Sequence, residues 1–227
     1  LTRALASVGG LTLASRVLGL FRDSLFARFV GAGFASDAFL IAFRLPNMFR
    51  ALFAEGAFAS AFIPMFNQKV ADKDGPGLPA GITFAEQALA VLLPILIAMT
   101  MVLEVFAWPV TFLLSGKFNG VSHEQFAYAV QLSRITIPYL ALISLVSLLG
   151  GILNSLNKFW VNAAAPILLN LTLIVALLGF HSSDALVTAR NQPIGVSVSG
   201  ALQLLWLVWA CRANGVSMRL RMPVWNA

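Results

Sequence analysis

The chain has 227 residues, of which 59% are hydrophobic and 11% charged, with 15 Lys and Arg against 9 Asp and Glu. Globular domains carry roughly 25% charged residues, so this composition excludes an ordinary soluble surface and points to membrane-spanning helices. A single cysteine, Cys211, excludes an intrachain disulfide. The excess of basic residues matters through its placement, and it points to a membrane rather than to nucleic acid.

A helix crossing the hydrocarbon core needs about 20 apolar residues. Six segments reach that length, roughly 3–30, 37–66, 83–115, 123–155, 160–180 and 193–212. The expected fold class is therefore all-α, a polytopic bundle of six transmembrane helices. The first segment contains "SRVLGLFRDSLFAR", which sets Arg16, Arg22 and Arg28 among apolar residues. The second adds Arg44 and Arg50, and its "RLPN" at 44–47 reads as a proline bend. The charged, Pro- and Gly-rich stretch from Asp72 to Gly81 is the clearest loop. His123 begins the fourth segment and His181 follows the fifth, and neither has metal-ligand spacing. Arg134 lies about a third of the way into the fourth segment, and Asn162 and Asn170 lie on the fifth. Glycines 9, 10, 19, 150, 151, 195 and 200 are candidates for close helix packing.

The basic residues outside the spans set the orientation. With the N-terminus cytoplasmic, inner segments hold Arg3, Lys69, Lys73, Lys158, Arg212, Arg219 and Arg221, and outer ones hold Lys117 and Arg190. Seven against two satisfies the positive-inside rule.

If the first two segments form an antiparallel hairpin, Arg16 lies level with Arg50 near mid-bilayer. Arg22 and Arg44 then form a second tier ~9 Å nearer the outer face. A charge at the centre of a membrane helix costs about 2.5–3.5 kcal/mol on insertion scales. Snorkelling suits Arg28 and is open to Arg44, but Arg16 and Arg50 are too deep. Pairing with Asp23, Asp37 and Glu55 leaves two of the hairpin's five arginines in excess. Spacings of six residues turn successive arginines by about 120°, unlike the single face of a voltage sensor. The functional reading is a hydrated cationic cavity for an anionic substrate, because planar guanidinium forks suit phosphate oxygens. Asp37 serves either to tune this charge or to cap its helix with Ser36. Arg134 either joins the cavity rim or snorkels outward. Asn170 is a candidate for interhelical hydrogen bonding first and cavity lining second.

Three stretches, "SRVLGLFRDSLFARFVGAG", "SDAFLIAFRLPNMFRALFAEGAFASAFIP" and "ILNSLNKF", resemble the MurJ (MviN) family of lipid II flippases, within the multidrug/oligosaccharidyl-lipid/polysaccharide exporter superfamily. The resemblance covers essentially the whole chain but the first half of the family's architecture. It implies one six-helix lobe of a two-lobe transporter, read as a fragment whose partner is the missing C-terminal lobe. It implies a bacterial inner-membrane protein that moves the polyprenyl pyrophosphate-linked peptidoglycan precursor outward by alternating access. The family's essential cavity arginines fall at Arg16, Arg22 and Arg50, and its acidic partners at Asp23, Asp37 and Glu55. Arg44 occupies a position that can be lysine. No catalytic residue, metal or cofactor is expected, because no P-loop and no His/Asp/Cys cluster is present. The rivals are another exporter of the superfamily, a membrane enzyme acting on polyprenyl pyrophosphate, and a structural subunit with fully paired arginines.

Overall fold

The computed structural model describes residues 2–52, 57–72, 76–115 and 122–220, with backbone alone for 2–6 and 57–59. The described residues are helical, in nine segments: α1 (Thr2–Phe29), α2 (Phe34–Arg50), α3 (Ala57–Ala71), α4 (Leu78–Val105), α5 (Ala107–Ser115), α6 (His123–Thr136), α7 (Pro138–Ser155), α8 (Phe159–Gly179) and α9 (Ala185–Ala213). The expected count of six is not what is seen: the third and fourth expected spans each hold two segments, and the second holds α2 and α3 on either side of 53–56, which lie outside the described residues. Pro46 lies inside α2, so "RLPN" belongs to a continuing helix and not to a loop, and 51–52 carry it on in π geometry. The α4–α5 break falls at Phe106, and the α6–α7 break is set by Pro138, which occupies the first position of α7 where its missing N–H costs nothing. Ser197 on α9 donates to the Ile135 carbonyl beside that break at 2.6 Å. A neighbouring hydroxyl thus serves backbone that water cannot reach in a membrane.

By length and composition, four stretches among the described residues could cross a membrane: Leu78–Val105, His123–Ser155, Phe159–Gly179 and Ala185–Ala213. α1 and α2 are not among them, and α2, with 17 residues, is shorter than a span needs. Their outward faces are nevertheless apolar, with Leu13, Leu20, Phe21 and Leu40 all exposed.

The centre of the bundle is α7, which packs against α2, α3, α4, α6, α8 and α9. Its sequence "PYLALISLVSLLGGILNS" is apolar on every side, as a helix with neighbours all round must be. Ser144 and Ser147 spend their hydroxyls on the carbonyls four residues back, so neither presents an unpaired group to the core. α9 approaches α7 closely at Gly200, where a Cβ would stand 2.7 Å from the Tyr139 ring. Gly9 and Gly10, expected to pack likewise, have nothing within 4 Å. α7 and α9 both end in Schellman turns. Asn157 (φ 59°) and Gly215 (φ 79°) take the left-handed position, while Lys158 N–H donates to Leu153 O and Val216 N–H to Cys211 O.

The first two helices do not form the close hairpin expected of them. α1 packs along α8, whereas α2 packs against α6, α7, α9 and α5. Near their connection the Phe26 and Phe39 rings still meet at 5.2 Å. Away from it the two helices part, with α7 and α8 behind the opening.

Candidate functional site

The opening between α1 and α2 is a cavity of about 600 Å³. Arg16 and Arg22 enter it from α1 and Arg50 from α2. Its remaining polar lining comes from Thr12 and Ser15 of α1, Asn47 of α2, Ser147 of α7, Asn162 and Asn170 of α8, and Gln203 of α9. Its described lining residues include no carboxylate.

The three guanidinium groups are held differently. Arg22 is 23% exposed and forms an ion pair with Asp23. Its Nη2 and Nε donate to Asp23 Oδ1 at 2.6 and 3.0 Å, and its Nη1 donates to Asn170 Oδ1 at 3.0 Å. Asn170 is buried and donates from Nδ2 to the Ser15 carbonyl at 2.9 Å and to Ser15 Oγ at 3.3 Å. A guanidinium can only donate and a carbonyl can only accept, so this network fixes which way the amide faces. Asn170 thereby ties α8 to α1 and aims Arg22. Arg50 donates from Nε and Nη2 to Asn47 Oδ1, one turn back on α2, at 3.4 and 3.3 Å. Arg16 is exposed to the cavity and has no hydrogen bond or ion pair with the described residues.

The other candidates lie elsewhere. Arg44 is exposed and does not line the cavity. Its Nη1 donates to the Leu114 carbonyl in the last turn of α5 at 2.5 Å. Arg134, a candidate for the rim, also does not line it. It is exposed on α6, in the field of the Glu104 carboxylate of α4. Arg28 is exposed at the end of α1, over the Phe29 ring at 5.9 Å. Asp37 is exposed in the first turn of α2, and the cap there is made by Ser36, whose hydroxyl accepts from Gly33 N–H and donates to Gly33 O. Glu55 lies outside the described residues. No group of three His, Cys, Asp or Glu side chains able to hold a metal ion occurs among the described residues.

Sequence reasoning passed over Ser15, Asn47 and Gln203 as cavity residues. Asn47 sits three residues before Arg50, the spacing that stacks side chains on one helix face, and that signal was available.

The chain has known counterparts. The family profile described as "Lipid II flippase MurJ" matches residues 26–226. The chain belongs to the MurJ family. It is 39% identical over 227 residues to the probable lipid II flippase MurJ of Rhizobium tropici, covering 98% of this chain and 42% of that relative. It is 40% identical over 209 residues to the lipid II flippase MurJ of Burkholderia cenocepacia, covering 90% of this chain and 39% of that relative. A solved structure titled "Lipid II flippase MurJ, inward closed conformation" superposes with a TM-score of 0.70 at 28% identity, covering 89% of this chain and 41% of that one. The chain thus spans about 42% of the length of the first of these MurJ relatives.

Proposed function

We propose that this chain forms the N-terminal lobe of a lipid II flippase in the bacterial inner membrane, with its N-terminus cytoplasmic. Arg16, Arg22 and Arg50 bind the diphosphate of the polyprenyl-linked headgroup as it crosses through the cavity, while the prenyl tail stays in lipid. The observation that carries this reading is the convergence of three guanidinium groups, from two helices, on one cavity. Such a site is costly to keep in a membrane and complements a polyanion.

Arg16 contributes an uncommitted fork, and Arg22 one that must exchange Asp23 for phosphate. Asp23 holds Arg22 in position while the site is empty, and Asp37 and Glu55 tune the charge around it. Arg44 adds to the field from outside the cavity wall. A second lobe, from the remainder of the full-length protein, closes the other side, and alternating access arises from the two lobes rocking against each other. The chemistry is binding and release without a covalent step.

The test is headgroup exposure on the outer leaflet in the full-length protein with Arg16, Arg22 or Arg50 changed to Ala. Flipping is expected to be lost with insertion and abundance unchanged, and Arg22→Lys is expected to restore part of it, because a lysine keeps the charge without the fork. Full flipping in all three Ala variants contradicts the proposal.

A further inference from the structure

Beyond Arg22 lies a side pocket of about 70 Å³, bounded on its polar side by Arg22, Asp23 and Gln192 and on its apolar side by Phe26, Phe39 and Leu173. Arg22 and Phe43 border both this pocket and the main cavity, so Arg22 stands in the partition between them. Gln192, on α9, is 1% exposed, and its Nε2 has no hydrogen-bond partner among the described residues.

An amide nitrogen buried without a partner is costly. Native structures meet that cost with ordered water where the space is polar and large enough. Water in the liquid takes roughly 30 Å³ per molecule, so this pocket has room for about two. Asp23 supplies the second polar wall. Its Oδ1 accepts both Arg22 bonds, which leaves Oδ2 open to a further donor.

We propose that Gln192 is a positioning residue for the Arg22–Asp23 pair, acting through water held in this side pocket. Gln192 Nε2 donates to one water, and that water, directly or through a second, donates to Asp23 Oδ2. The inference rests on the reading of Arg22 as a ligand of the diphosphate. In the empty cavity Arg22 lies on Asp23. When the diphosphate arrives, Arg22 turns its Nε and Nη2 to phosphate oxygens, and Asp23 loses two charged donors at once. The water chain anchored on Gln192 then adds to the solvation of a carboxylate whose side chain is 64% exposed and keeps it beside the cavity, ready to take Arg22 back on release. Gln192 itself never touches the substrate.

The test is a double-mutant cycle in the full-length protein, read as lipid II affinity in lipid nanodiscs, so that a variant unable to flip still reports. Gln192→Leu removes the amide and leaves an apolar side chain of similar volume. It is expected to weaken lipid II binding about tenfold, as for one lost hydrogen bond to a charged group. In an Asp23→Asn background the same change is expected to cost less than twofold, since the carboxylate it serves is gone. Gln192→Asn, which keeps an amide within reach of the water, is expected to bind within threefold of the unmodified protein. Where Gln192→Leu lowers abundance, Gln192→Met decides by the same comparison. Equal losses in both backgrounds assign Gln192 to packing and overturn the proposal, as does undiminished binding by Gln192→Leu. Arg22→Ala keeps the two claims distinct. Lost binding there, with independent effects of Gln192 and Asp23, leaves the diphosphate reading standing and removes this one. Retained binding and flipping in Arg22→Ala removes both.

Discussion

Changing Asn170 to Ala tests whether Arg22 is aimed or merely present. The variant removes the acceptor of the 3.0 Å bond from Arg22 Nη1. A hydrogen bond to a charged group contributes about 1.5–3 kcal/mol. The Arg22 side chain is 23% exposed, and the adjoining cavity has space for a water to replace the missing oxygen. The lower end of the range therefore applies, about 1.5 kcal/mol, or close to tenfold in lipid II affinity. The same amide also ties α8 to α1 through Ser15. Interhelical hydrogen bonds in membranes average about 0.6 kcal/mol, so the loss of stability is expected to be smaller than the loss of affinity. The assay is lipid II affinity of the full-length protein in nanodiscs, with thermal unfolding measured on the same preparation. An affinity within twofold of the unmodified protein would refute the reasoning. So would a tenfold loss that persists in an Arg22→Ala background, where there is no longer a guanidinium to aim.

Gly200→Ala is expected to destabilise the bundle by about 1–3 kcal/mol, as overpacking does, because its new methyl meets the buried Tyr139 ring at 2.7 Å. Thermal unfolding checks this, with Gly9→Ala, which meets nothing within 4 Å, expected to change little. Arg44→Ala removes the bond to the Leu114 carbonyl. It is expected to speed hydrogen exchange at the end of α5 and to slow flipping less than Ala at Arg16, Arg22 or Arg50, as read by outer-leaflet headgroup exposure.

Much of this molecule was legible in the order of its residues, for physical reasons that also mark where legibility stops. Hydropathy over some 20 residues reports lipid-compatible length, and the helical character of the chain follows from it. The same average cannot see where a helix is interrupted. Pro138 announces one break, and Pro109, three residues after Phe106, marks the other. Helix pairing is harder still. The contact that seats α1 joins Ser15 to Asn170, 155 residues away, so the expectation that neighbours in sequence form a hairpin failed. Depth alone placed Arg44 with Arg22, yet rotation about the α2 axis sends Arg44 to the end of α5 and Arg50 into the cavity. Charge in an apolar context identified the arginines. Only the fold separated those that converge from those that cap a helix or lie over a ring at its end. Gln192 drew no notice in sequence because a glutamine near a helix start is ordinary, and it becomes unusual only once it is buried without a partner.

The most direct measurement is the position of the substrate diphosphate in a structure of the full-length protein bound to lipid II. The account predicts both phosphates in the cavity between α1 and α2, with oxygens about 3 Å from the guanidinium nitrogens of Arg16, Arg22 and Arg50 and with Arg22 released from Asp23. A diphosphate bound elsewhere, with Arg22 still on Asp23 and Arg16 facing only water, would contradict it.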